Sequence, residues 1–261
     1  SRKKGKKMHR EMNQLKIDHK HLENELPKLF DIKQLEQDEQ NLQTELHDTN
    51  KYIQKTVSLL IQILKEEGFV QTIEQTYQLS QMGELAANIQ EIHCLAFAEL
   101  LHQRIFDGFT PKELICILSC FANISIPREQ RIPNVNNLHI PSHVKAFIKH
   151  IQEKYYTYEE LENMHYLNYG YNFELQYELC ELVIRWCDTE DEKDCKLIYQ
   201  ELKERNIFLG EFIKAILKIN NIANELEKIC TIQNNMKLLS IIKQIPVLTL
   251  KNVATNQSLY L

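Results

Sequence analysis

The chain has 261 residues, 43% hydrophobic and 26% charged, enough for one large or two medium domains with a real core. A formal net charge of −5 excludes a global attraction for nucleic acid, so any such binding must be local. Six glycines and six prolines are few for this length, which favours long helices over a turn-rich sheet fold. Seven cysteines, an odd number without a tight pairing motif, point to reduced thiols and an intracellular setting, cytosol or nucleus. No stretch approaches the roughly 18 apolar residues of a transmembrane span, so no membrane partner is expected.

The chain opens on Arg2, Lys3, Lys4, Lys6, Lys7 and Arg10, and polar Asn13, Gln14 and Lys16 follow where a secretory signal would place an apolar segment. It starts without methionine inside a charged helix and is expected to be part of a longer polypeptide or a processed product. From Met8 to Lys65 the sequence is rich in Glu, Gln, Lys and Leu. Leu15, Leu22 and Leu29 recur at heptad intervals, as do Leu35 and Leu42. Pro27 is expected to break the helix near Leu26, giving helices over 8–25 and 31–65. Antiparallel pairing, with each other or with a segment upstream, would bury both stripes; self-association as a coiled coil is the alternative. Helices this polar predict a projecting stalk over 1–54.

The character changes at Val57. The run VSLLIQILKEEGF stops at Gly68, and Phe69 to Ile73 and Thr76 to Leu79 read as two short strands around a polar turn. Helix, hairpin, then Gly83 and a new helix reads as the end of a winged-helix unit over 55–90. Its wing holds Glu74 and no basic residue, so it is not expected to grip a phosphate backbone alone. Glu91 to Phe106 reads as a helix. Thr110, Pro111 and Glu113 form a capping box that opens the apolar helix ELICILSCFANI, expected at the centre of a bundle. Cys116 and Cys120 on it read as packed thiols rather than metal ligands.

Three prolines and three asparagines make 124–141 a surface connection exposing Arg128 and Arg131. A helix follows from Ser142 to about Tyr156. Tyr155, Tyr156, Tyr158, Tyr166, Tyr169 and Tyr171 crowd the next segment; they suit base stacking or packing, and the nearby Glu159, Glu160 and Glu162 favour packing. Phe173 to Cys187, ending past Trp186, and Asp194 to Arg205 read as helices. Asn206 is expected to cap a helix to Cys230 with Ile213, Ile216, Leu217, Ile222, Leu226 and Ile229 facing a core. Lys214 and Lys218 share another face of it. A last helix from Thr231 to Ile245 is expected to end at Pro246, before a tail closing on SLYL. The fold class is therefore mainly α: a helical stalk hairpin, a partial winged helix with one short β-hairpin, and a helical bundle over 91–261. No constellation supports catalysis, and there is no GxxxxGK[ST] phosphate loop or acidic motif placed for magnesium.

The order VSLLIQILKEEGFV, YQLSQMGELAANI, LAFAELLHQRIFDGFTPKELICILSCFA, an apolar helix ending in Trp186, Phe208 and Gly210 opening a long helix, and a final SLYL resembles the C-terminal region of Ski2-like DExH-box RNA helicases, the group of Mtr4 and Ski2. The resemblance covers about residues 20–261. It implies that the N-terminal helices are the returning arm of an arch, that 91–261 close an RNA channel over two upstream RecA-like ATPase domains, and that ATP and magnesium belong to those domains, with no cofactor in this chain. It implies that helix 208–229 is ratchet-like and touches threading single-stranded RNA, with Lys214, Lys218 and Asn221 as channel residues. Gly210, Phe208, Trp186, Thr110, Pro111 and Tyr260 match the family's structural positions. The sequence departs where lysines stand for the family's arginines at 214 and 218, and where Ile219, Leu209 and Asn206 replace arginine, glutamate and aspartate. A lysine keeps a point charge but loses the bidentate fork. The implied function is an accessory region of an ATP-dependent 3′–5′ RNA helicase, a hydrolase only as the parent protein. The alternative is a helical scaffold or adaptor that binds a protein partner through residues 8–50; a winged-helix DNA-binding protein is disfavoured because the hairpin 69–79 has no basic residue and no separate recognition helix is basic. The divergence suggests a viral or parasitic source.

Overall fold

A computed structural model describes residues 2–19, 21–167 and 170–251, with the side chains of 2–4 and 22–24 excepted. The SLYL tail, Tyr260 and Tyr169 lie outside the described residues. The chain is mainly α, with a single two-stranded antiparallel sheet among the described residues, and it divides into two units, Ser1–Leu64 and Lys65–Leu261.

The first unit holds α1 (Arg2–Asp18) and α2 (Leu22–Glu66), the latter running just past the unit boundary. Two expectations are corrected here. The break falls between Asp18 and Leu22, and α2 runs continuously through Pro27. Pro27 sits in the second turn of α2 and is exposed, and its missing N–H costs the helix a single bond. Nor do the helices bury their stripes on one another: every described side chain from Gly5 to Lys55 is exposed, including Leu15, Leu29, Leu35 and Leu42.

The second unit begins with the expected hairpin, β1 (Val70–Ile73) and β2 (Thr76–Leu79), paired Val70 to Leu79 through Ile73 to Thr76. Ser80 ties it to α3 (Gln81–Ala86): its Oγ donates to the Gly68 carbonyl at 2.7 Å and accepts the Gly83 N–H at 3.0 Å. Gly83 packs so closely that an added Cβ would meet the Phe69 carbonyl oxygen at 2.1 Å.

The bundle is built round α5 (Pro111–Ser119), whose residues Leu114 to Ser119 are all buried. Thr110 Oγ1 accepts the Glu113 N–H while Glu113 accepts the Thr110 N–H, the full capping box, with Pro111 in the first turn. Around α5 pack α6 (Ser142–Met164), α7 (Cys180–Asp188), α9 (Leu209–Ile232) and α11 (Ile245–Thr249); α4 (Cys94–His102) packs between α3 and α6, α8 (Glu192–Glu204) against α7 and α9, and α10 (Met236–Ile242) against α9. Trp186 is fully buried, its Nε1 donating to the Thr249 carbonyl at 2.8 Å and its ring edge-on to Phe212. Cys116, Cys120 and Cys180 meet in this core, with Cys120 and Cys180 sulfurs 3.5 Å apart.

Several elements differ from expectation for local reasons. The helix expected from Glu91 starts only at Cys94, where the His93 ring caps it, and ends before Arg104, which takes φ +54. The helix expected from Phe173 is extended as far as Tyr177, because its polar side chains are used elsewhere. Gln176 holds both the N–H and the carbonyl of Ile124, and Glu178 accepts the Ile132 N–H at 2.9 Å. These bonds strap down 124–141, whose Ile124, Ile126, Val135, Leu138 and Ile140 are buried while Arg128 and Arg131 stay exposed. α6 runs two turns past Tyr156. Pro246 opens α11 rather than ending a helix, since a first-turn N–H needs no partner. Asn206 ends α8 rather than capping α9: it adopts φ +54, its N–H bonds Lys203 and the Ile207 N–H bonds Leu202, the two bonds of a Schellman turn.

Candidate nucleic-acid interface

α9 has two faces. Phe212, Ile213, Ala215, Ile216, Ile219, Ile222, Ala223, Leu226 and Ile229 are buried, which places one side of the helix in the core. The exposed side runs Gly210, Lys214, Leu217, Asn221, Asn224, Lys228 and Thr231, at the alternating spacing of three and four that keeps residues in line. Leu217, assigned to the core by periodicity, is on this outer face at 46% exposure. Ile219, where the resemblance expects arginine, is fully buried and offers nothing to a ligand.

The sequence-derived candidates separate. Lys214 is exposed and bonds Glu211 at 3.1 Å, and Asn221 is exposed on the same line. Lys218 is half-buried: its Nζ donates to the Glu91 carbonyl and to Glu91 Oε2, each at 2.6 Å. Glu225, two turns on, accepts the N–H groups of Gln90 and Glu91 at 3.0 and 3.1 Å. Segment 90–91 is thus clamped onto α9 by opposite charges. Glu211 also accepts the Ser125 N–H at 2.8 Å; that bond and Lys214 hold its carboxyl below the usual range. Lys228 and Asn224 were missed by sequence reasoning, although counting three and four residues onward from Lys214 reaches both. Lys228 has no ion pair among the described residues.

α9 opens without a side-chain cap. Phe208 stands at the N-cap position, 79% exposed, and a Cβ on Gly210 would meet nothing within 4 Å. The hairpin turn carries Glu74 and Gln75, both at positive φ, and no basic residue lies between Val70 and Leu79.

Behind segment 90–91 lies an aromatic cluster. His93 is 8% exposed, ringed by Tyr155, Tyr158, Tyr171 and Phe173 with centroids 4.9 to 5.7 Å away. Its Nδ1 accepts the Ala96 N–H at 3.2 Å, and burial lowers its pKa to about 4, partly opposed by the charge of Glu99. Glu99 is bonded in turn by Lys154 and the Tyr158 hydroxyl. Tyr155 and Tyr158 are thus packed, whereas Tyr156 and Tyr166 are exposed. A cavity of about 260 Å³ sits beside Lys218, with Tyr171 and Phe121 in its walls.

Among the described residues no group of three or more His, Cys, Asp or Glu is placed to hold a metal ion, and no helix is long and apolar enough to cross a membrane. The cavity beside Lys218 does not fit a nucleoside triphosphate: Glu91 and Glu174 stand in its wall, and two of the three N–H groups of its lysine already bond Glu91.

A mainly α bundle closed over a long helix with an outward polar line is the setting in which the comparison with known families falls. The DSHCT (NUC185) domain matches residues 76–252, and the chain belongs to this family, a C-terminal domain of Ski2-like helicases. No curated protein matches the chain.

Proposed function

We propose that this chain is the strand-lining accessory region of an ATP-dependent RNA helicase of the Mtr4/Ski2 kind, acting inside the cell. ATP and magnesium would be held by RecA-like domains elsewhere in the same polypeptide, and turnover there would move single-stranded RNA 3′ to 5′ past this bundle. Residues 55–90 would complete a winged helix, and the second unit would form one wall of the channel. The observation that carries the reading is the exposed line on α9, in which Lys214, Asn221, Asn224 and Lys228 present two cations and two amides along one side of a DSHCT-domain helix. Such a line attracts a phosphate backbone without reading its sequence. Two lysine–phosphate contacts on a single strand correspond to a salt slope of about −1.4, so affinity without the motor domains is weak.

The test is binding of oligouridine to the full chain, titrated by fluorescence anisotropy at several salt concentrations. Lys214→Glu with Lys228→Glu should weaken binding and flatten the salt slope, with the melting temperature unchanged. Unaltered binding in that double variant would remove α9 from the interface.

One observation favours a second reading, an adaptor whose first unit docks a protein. Leu29, Phe30, Ile32, Leu35, Leu42 and Leu46 are more than half exposed on α2. A stable protein complex lost on deleting 8–50, with no RNA bound, would favour it.

A further inference from the structure

The cavity beside Lys218 has no part in backbone attraction. At about 260 Å³ it falls below the roughly 300–1,000 Å³ of drug-sized sites, so its occupant is a single ring system. Tyr171 and Phe121 stand in its wall. Tyr171 is held in place by its hydroxyl, 3.1 Å from that of buried Tyr155.

The polar groups of the wall retain unused bonding capacity among the described residues. Glu174 places Oε1 on Arg131 at 2.9 Å, which leaves Oε2 as an acceptor. Asn123, at φ +48, accepts the Asn172 amide at Oδ1 and leaves its own N–H₂ as a donor. Lys218 places two bonds on Glu91 and keeps a third N–H. The cavity therefore sets a carboxylate acceptor and two kinds of N–H donor beside two aromatic side chains. α9 contributes Lys218 to its wall.

We propose that this cavity takes one unstacked guanine from the strand lying on α9, which makes the accessory region base-selective at one position. Guanine presents N1–H and N2–H₂ side by side, which a carboxylate accepts, and O6, which an amide or ammonium N–H donates to. Adenine offers the same carboxylate one donor, N6–H₂, beside an unprotonated N1 that repels it, where guanine offers two donors. Uracil, a single six-membered ring, leaves part of the cavity unfilled. The inference rests on the proposed role of α9, and its failure is separable from the failure of that role.

The experiment compares the full chain's affinity for oligouridine of about twelve nucleotides with versions carrying one central guanosine, adenosine or cytidine. Guanosine is expected to tighten binding about tenfold. Glu174→Gln and Asn123→Ala, both at exposed positions, should each erase that gain and leave oligouridine affinity unchanged. Lys214→Glu should weaken all four oligonucleotides alike. Equal binding of all four, with oligouridine bound, overturns the guanine site and leaves the α9 role standing. A preference for adenosine or cytidine, or a guanosine preference that survives both variants, also overturns the site. Failure of every oligonucleotide to bind overturns both.

Discussion

Lys218 and Glu91 are joined twice, the lysine Nζ donating to both the backbone carbonyl and the carboxylate of the same residue at 2.6 Å. Four residues earlier, Lys214 is 64% exposed and bonds only its helical neighbour Glu211. Two lysines that look equivalent in sequence therefore stand in different settings. Lys218→Ala strands a half-buried carbonyl and a carboxylate, and should cost about 1–3 kcal/mol of stability. Lys214→Ala should cost almost nothing and should weaken RNA binding. Chemical denaturation of both variants, beside anisotropy titrations, separates the two roles.

His93 makes the bundle sensitive to mild acid. Its pKa is about 4 in the folded chain and about 6.5 when exposed, so the unfolded state binds more protons between these values. This contribution is fully present above pH 6.5 and is lost as pH falls toward 4. The loss amounts to about 3 kcal/mol. His93→Asn keeps an N-cap acceptor and removes the titration. Urea midpoints measured from pH 7 to pH 4 should fall more steeply in the native chain than in the variant.

Trp186 closes the contact between α7, α9 and α11. Trp186→Ala should destabilise by about 3–5 kcal/mol. Trp186→Phe keeps most of the ring but leaves the Thr249 carbonyl without its donor, and should cost less than half of that. Thermal melts of the two variants check the order.

Gly83 is fixed by a backbone approach. Gly83→Ala drives a methyl into the Phe69 carbonyl and should cost about 1–3 kcal/mol. Hydrogen exchange should then quicken first in the hairpin amides of Val70 to Leu79.

The parts of the fold that were legible rest on signals that are local and redundant. The Thr110–Glu113 capping box, the hairpin between Gly68 and Ser80 and the all-apolar α5 each follow from residues close in sequence. The misread parts turn on residues whose chemistry suits two settings. Asn206 caps helices and also tolerates the left-handed turn, and only the Leu202 and Lys203 carbonyls decide between them. Proline breaks a helix or begins one, as Pro246 does. Gln176 and Glu178 suit a helix face until Ile124 and Ile132, more than forty residues away, claim their side chains. On α9, spacing alone set Lys214 on a face apart from the core, and it is exposed. The pairing of Lys218 was not legible, because Glu91 lies 127 residues away. Ile219 marks the limit of transfer by resemblance, since the fold buries the position where a cation is expected.

The most direct measurement of the central claim is photo-crosslinking of the full chain to 4-thiouridine RNA, with the linked peptides mapped by mass spectrometry. The account predicts crosslinks concentrated on the outer line of α9, from Gly210 to Lys228. Crosslinks confined to residues 1–64, or to surfaces of the bundle away from α9, would contradict it.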